Sequence, residues 1–186
     1  MNEDKINVAI TIPEAVIMKD SEYETLLNDD ETVKKDHPVI MFRGKLDTVG
    51  AHIVSCGVQA KKEGLDRLGQ SLLSLLDCCI SVMRAEVRYE PMGDFRIMDM
   101  TPQKLREYSH HPKKHFGTDH FLPDFETGEM MARLNMLRTE IREAERLAVA
   151  AFIGPDTERT DIVTALNRMS SAAYIMMCML KTGKYI

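Results

Sequence analysis

Tryptophan is absent from this 186-residue chain, and aromatic residues make up only 6% of it. The first 34 residues contain no glycine, so that stretch holds no glycine-rich anion loop. No run approaches the roughly 20 consecutive apolar residues a membrane span needs. The opening MNEDKINVAI lacks a basic region followed by an apolar core, so no signal peptide is expected and a cytoplasmic location is. The four cysteines, Cys56, Cys78, Cys79 and Cys178, include no CxxC spacing. In a reducing compartment they are expected as free, buried thiols rather than a metal site. A net charge of -5 disfavours nucleic acid as a partner.

What is present is an ordinary globular mix, 44% hydrophobic and 28% charged, of a length that suits one core. Methionine is abundant at 14, which suits an adaptable interior. Residues 5–12 read as a short strand and residues 13–34 as a mixed acidic segment, possible helix with loose ends. Helical periodicity begins after Pro38. Leu46, Val49, Ile53, Cys56 and Ala60 recur at three- and four-residue spacing, and Gly64 marks a stop. A second helix covers about 65–88, with Leu68, Leu72, Leu75, Leu76, Cys79, Val82 and Met83 on its apolar side. Thr101-Pro102 starts a short helix, with Thr as cap and Pro in the first turn. Residues 109–126, SHHPKKHFGTDHFLPDFE, read as one long irregular loop holding His110, His111, His115 and His120. A third long helix, about 127–153, carries the seam Leu134, Leu137, Ile141, Ala144, Ala148 and Phe152. A fourth covers about 160–181 and stops at Gly183. The sum is an all-α protein, a four- or five-helix bundle over 35–186 after a short irregular segment over 1–34.

The third long helix carries LRTEIREAER. Arg138, Arg142 and Arg146 stand one turn apart beside the apolar seam, with Glu145 next to them. Arginines at the border of a core suit a bound polyanion, because the planar guanidinium bonds two phosphate oxygens at once. The bland alternative is a solvated face laced with Glu–Arg pairs worth about 0.3–0.5 kcal/mol each.

The same segment, Arg138-Thr139-Glu140-Ile141-Arg142-Glu143-Ala144-Glu145-Arg146, resembles the R-T-x-x-R-x-A-E-R signature of ATP:corrinoid adenosyltransferases. Leu166-Asn167-Arg168-Met169-Ser170 resembles that family's L-N-R-L-S. Lys35 and Asp47 stand at the spacing of a family Lys and Asp, with FRGKLD leading into the first bundle helix. VMRAEVRYEPMG (82–93), YSHHP (108–112) with TDHFLP (118–123), and RLNMLRTEIREAE (133–145) are similar to the ethanolamine-utilisation branch in particular. The likeness runs in consistent order through roughly residues 35–180.

That resemblance implies a helical bundle, a homotrimer with sites between subunits, and cytoplasmic use, with association to a bacterial microcompartment as a variant of that expectation. It implies ATP with Mg²⁺ and cobalamin as substrates, cob(II)alamin being reduced to cob(I)alamin by a corrinoid reductase. The product would serve ethanolamine ammonia-lyase. It assigns Arg142, Glu145 and Arg146 to the triphosphate end and Lys35, Asn167 and Arg168 to ATP contacts. Asp47 and Arg138 correspond to an intersubunit ion pair beside the corrin. His120 stands where many members have the Phe that closes the lower corrin face, with Phe121 as an alternative wall. Two departures follow. The propanediol-type T-x-T-G-D-x-G loop has no counterpart in the glycine-free N-terminus, and the H-x(11)-C-C-x-x-C metal motif is missing. A member without a structural metal is therefore expected, its loop histidines serving as caps, packing or corrin contacts. The alternative reading is a non-catalytic corrinoid-binding or delivery bundle, which would keep the corrin-facing residues and lose the triphosphate cations.

Overall fold

The computed structural model describes residues 21–154 and 158–185. The expected strand over 5–12 lies outside them. The chain divides into two units, residues 1–35 and 36–186. Within the first, strand β1 (Glu24–Leu26) pairs antiparallel with β2 (Thr32–Lys34). The helix considered for 13–34 is thus corrected, for the residues described, to a hairpin. Thr25, Thr32 and Val33 are β-branched, and Asn28 turns the chain by accepting from the Asp30 N–H at 3.0 Å.

The second unit is built on four long helices, α1 (Pro38–Lys62), α2 (Asp66–Val87), α5 (Glu129–Phe152) and α6 (Thr160–Lys181). Two short helices, α3 (Pro102–His110) and α4 (Pro112–Phe116), lie on the crossover between α2 and α5. FRGKLD, read as leading into the first helix, is its second and third turns; Pro38 starts the helix because a missing N–H costs nothing at a first turn. Gly64 ends α1 at φ +69°, with Leu65 N–H returning to Ala60 O at 2.9 Å, a left-handed closure that glycine adopts without a Cβ penalty.

Around the bundle, α1 packs on α2 and α5, and α6 packs on α2 and α5, with α3 and α4 leaning on α6. Every residue of the expected seams on α1 and α5 is buried. On α2, Leu76 and Met83 are only partly covered. Helix α6, touched by four others, is buried almost all round, and Ala and Met dominate its inward positions. On length and mean hydropathy (1.2), α2 alone among the described helices would qualify to cross a membrane. Here its Leu68, Leu72 and Leu75 are in the bundle core.

The 109–126 segment is more ordered than a loop. Pro112 starts α4, Gly117 at φ +77° ends it, and a 3₁₀ turn follows at Phe125–Thr127. His115 stacks on Tyr108 with ring centroids 3.7 Å apart and meets Glu107 at 3.2 Å. The end of α2 is tied to α6 in turn. Asp161 accepts from Met92 N–H at 2.7 Å, and Arg159 donates to Glu90 O at 2.8 Å.

Candidate functional site

Helices α5 and α6 and the 109–122 segment enclose an open cleft of about 540 Å³. Five of the residues singled out in the sequence line it, namely Arg138, Arg142, His110, His120 and Phe121. The heptad seam of α5 turns Leu134, Leu137, Ile141 and Ala144 inward. The arginines at 138, 142 and 146, offset from it, therefore emerge along one edge. Arg138 is partly buried and donates twice to Asn135 Oδ1, at 3.0 and 3.2 Å. Its burial and the nearby Arg142 cation lower its pKa, with Tyr174 opposing. Arg142 and Arg146 are exposed and form no hydrogen bond or ion pair among the described residues. The solvated face of Glu–Arg pairs does not form at these two positions; on α5 only Arg133 pairs in that way, with Glu129.

Arg146 lies one turn beyond the cleft wall, where the next polar group begins. Glu145 Oε1 accepts from Asn167 Nδ2 at 2.6 Å, joining α5 to α6. Asn167 Oδ1 in turn accepts from the Arg168 guanidinium. Arg168 is only 9% exposed. Burial and the nearby Arg106 lower its pKa, against the pull of Glu145. Its Nε is the one buried side-chain polar atom among the described residues without a partner. Arg168 thus stands behind Asn167 rather than in the cleft. Ser170 and Ser171 both donate to Asn167 O, at 2.9 and 3.2 Å, leaving their oxygens free to accept at the cleft floor.

Asp47 is not in this group. It lies on the opposite flank, in a cavity of about 460 Å³ between α1 and α2, with Cys79 and Arg84 among its neighbours. It forms no ion pair with Arg138 within the chain. A second cavity of about 700 Å³ continues the groove, sharing Val54 and Leu76. Val54, Val58, Leu73 and Ile80 stand about half exposed along it. Lys35 belongs to the N-terminal unit, where its N–H donates to Tyr23 O at 2.8 Å.

Among the described residues no three His, Cys, Asp or Glu side chains gather as a metal site. One Glu-x-x-His spacing, Glu107–His110, occurs on α3, and its carboxylate is taken by Lys114 at 2.9 Å and His115. Mg²⁺ is a hard cation that keeps several waters and needs only one or two carboxylates when phosphate oxygens supply the rest. Glu145, whose Oε2 takes no hydrogen bond, is the carboxylate beside the arginines.

Sequence reasoning missed Tyr174. Its hydroxyl meets His120 Nδ1 at 3.2 Å and accepts from Phe121 N–H at 3.3 Å. The signal was present: Tyr174 lies seven residues after Asn167, two turns along the same α6 face. It also missed Lys181, whose Nζ sits 3.9 Å from the Phe121 ring centre.

The sequence profile described as Cobalamin adenosyltransferase matches residues 19–180. The chain is 33% identical over 163 residues to the corrinoid adenosyltransferase EutT of Salmonella typhimurium, covering 87% of this chain and 60% of that protein. It is 34% identical over 155 residues to the Escherichia coli K12 protein of the same name, covering 82% of this chain and 57% of that one. The chain thus spans about 60% of the length of these curated relatives. No solved structure matches. With the profile running from the N-terminal unit to the last turn of α6, the chain belongs to the cobalamin adenosyltransferase family.

Proposed function

We propose that this chain transfers the 5′-deoxyadenosyl group of ATP to the cobalt of reduced cob(I)alamin. The observation that carries the reading is the pair Arg142 and Arg146, two exposed cations that form no hydrogen bond or close ion pair among the described residues, at the edge of a cleft. The cobalt(I) electron pair attacks C5′, the C5′–O bond breaks, and triphosphate departs with that bond's electrons. No protein nucleophile is needed. Charge grows on the leaving oxygen, so Arg142 and Arg146 act where it develops, with Lys35 approaching a phosphate. Glu145 would hold Mg²⁺ beside the triphosphate, where the ion would supply screening of the phosphate charge. Asn167, held by Glu145 and backed by Arg168, faces the nucleotide, so Arg168 serves ATP through its neighbour. His120, Phe121 and Leu122 form the apolar-edged wall against the corrin.

The same reading makes the chain a homotrimer. Asp47 and Arg138 lie on opposite flanks, so they pair only if the α1–α2 groove of one copy meets the cleft side of another. Product would pass to a radical enzyme of the ethanolamine ammonia-lyase kind, and a corrinoid reductase would supply cobalt(I).

The test is an anaerobic assay with ATP, Mg²⁺ and chemically reduced cob(I)alamin, following the visible spectrum. The expected outcome is light-sensitive adenosylcobalamin and free triphosphate, undiminished by a transition-metal chelator with Mg²⁺ in excess. A shifted corrinoid spectrum with no turnover would replace this reading with a corrinoid-delivery function.

A further inference from the structure

The turn at 120–121 is held by a connected set of hydrogen bonds centred on the Tyr174 hydroxyl. Phe121 N–H can only donate, so the Tyr174 oxygen accepts it, at 3.3 Å. His120 Nε2 faces the carbonyl oxygen of His110 at 3.4 Å. A carbonyl only accepts, so Nε2 carries a proton. That leaves Nδ1 against the Tyr174 hydroxyl at 3.2 Å; the hydroxyl also meets the Cys178 thiol, and with that thiol's proton turned to the Tyr174 oxygen the phenol proton goes to Nδ1. A doubly protonated ring would satisfy the same contacts, but it would add a third cation to a cleft already lined by Arg138 and Arg142. The rings support the arrangement. His120 stacks on Tyr174 at 5.7 Å and 13°, and Phe121 leans on the same ring at 5.9 Å. Tyr174 is itself fixed, on a helix buried among four neighbours.

We infer that Tyr174 is a positioning residue. It ties the 120–121 turn to α6 and holds His120 as the Nε2-protonated tautomer with its Nδ1 lone pair occupied. The consequence rests on the reading under Proposed function. A free imidazole beside the corrin is a competent cobalt ligand, and a nitrogen ligand on cobalt(II) makes its reduction harder. With both ring nitrogens engaged, His120 is a wall rather than a ligand, and it takes over the covering role of a phenylalanine without its chemistry interfering.

The experiment uses the full chain with ¹⁵N-labelled histidine, as wild type and as Tyr174→Phe, which keeps the ring and removes only the hydroxyl. Long-range ¹H–¹⁵N correlation, with His120→Gln to assign the signal, reads the tautomer without any substrate. Wild type is expected to show the Nε2–H pattern and Tyr174→Phe a mixture. With ATP and cob(II)alamin, the variant is expected to show nitrogen-coordinated cobalt in its electron paramagnetic resonance spectrum. Its kcat with a cob(II)alamin-reducing system should fall about five- to tenfold, the loss of roughly one hydrogen bond, at unchanged KM for ATP. A Nδ1–H or doubly protonated ring in wild type would overturn the inference, as would a variant whose tautomer is unchanged. If the tautomer behaves as expected but neither protein turns over cob(I)alamin, Tyr174 still positions His120 and the adenosyltransferase reading is what fails.

Discussion

The two flanks of the bundle are built from opposite materials. On the α5–α6 flank, cations and hydroxyls border a cleft, and the apolar seam beneath them is fully covered. On the α1–α2 flank, one strong ion pair is internal, and Asp47, Arg84 and Arg88 edge a largely apolar groove. Arg43 grips the buried Glu86 with two bonds of 2.7 and 2.9 Å, while apolar side chains line the open groove. One flank has exposed arginines without a close ion pair among the described residues, and the other has exposed apolar surface. Each lacks what a ligand or a second copy would bring. Asp47, four residues after a well-paired arginine on the same helix, forms no close ion pair in that groove among the described residues.

The largest effect expected from breaking this contrast is on the cleft side. Arg142→Ala removes an exposed cation that contributes little to folding, so the melting temperature should hold. Turnover should fall about 10²- to 10³-fold, the typical loss for one donor aimed at a developing charge. Normal turnover would take Arg142 out of the triphosphate site and restore the solvated-face interpretation.

Next is the groove. Ile80→Glu places a charge on a surface that is half exposed in the single chain and buried in the proposed trimer. Size-exclusion chromatography with light scattering should show a trimer for wild type and smaller species for the variant, with the helical circular dichroism unchanged. A monomeric wild type that binds lipid vesicles would instead make the groove a membrane face. Asp47→Asn probes the same junction more gently, weakening corrinoid handling or assembly while sparing the fold.

How far the two flanks could be read in advance differs for a physical reason. The bundle was legible because burial repeats with the helical period. The seams of α1 and α5, the Gly64 stop and the Thr101 cap were all placed from local pattern. The α5 arginines were legible for the same reason, since four-residue spacing fixes a shared face. Tyr174 was not, because its role depends on a turn 53 residues away in sequence meeting its hydroxyl. Nor was the 24–34 hairpin, whose strands are too short for alternation to register. The ordering of 109–126 came from proline and glycine at the ends of a five-residue helix, shorter than a periodic signal can resolve.

The internal ion pair of the α1–α2 flank sharpens the comparison at the level of stability. Arg43→Met leaves the 3%-exposed Glu86 carboxylate without its partner, which should destabilise the bundle by about 3–5 kcal/mol. Urea denaturation measures it. A cost below about 1 kcal/mol would mean that the pair behaves as a surface contact and that this end of α2 is wetter than its burial indicates.

The smallest expected effect compares the flanks through their thiols. Burial pushes Cys78 and Cys79, on the α2 side, up to about 12, with the adjacent thiol or Asp47 adding to it. Burial pushes Cys56 to about 11 against the pull of Arg133, and Cys178, behind the cleft, to about 11 against Tyr174 and Lys181. A thiol whose folded pKa is raised binds its proton more tightly in the native state. Its contribution to stability is complete below the ordinary value of 9.0 and is lost as pH rises toward the folded value. Stability should therefore be insensitive to the thiols up to about pH 9 and decline from there toward 11 to 12. At pH 8, all four should resist a disulfide reagent in the native protein, because the thiolate is the reactive form. If Cys178 alone reacts, the cleft flank opens to solvent more often than the α1–α2 flank.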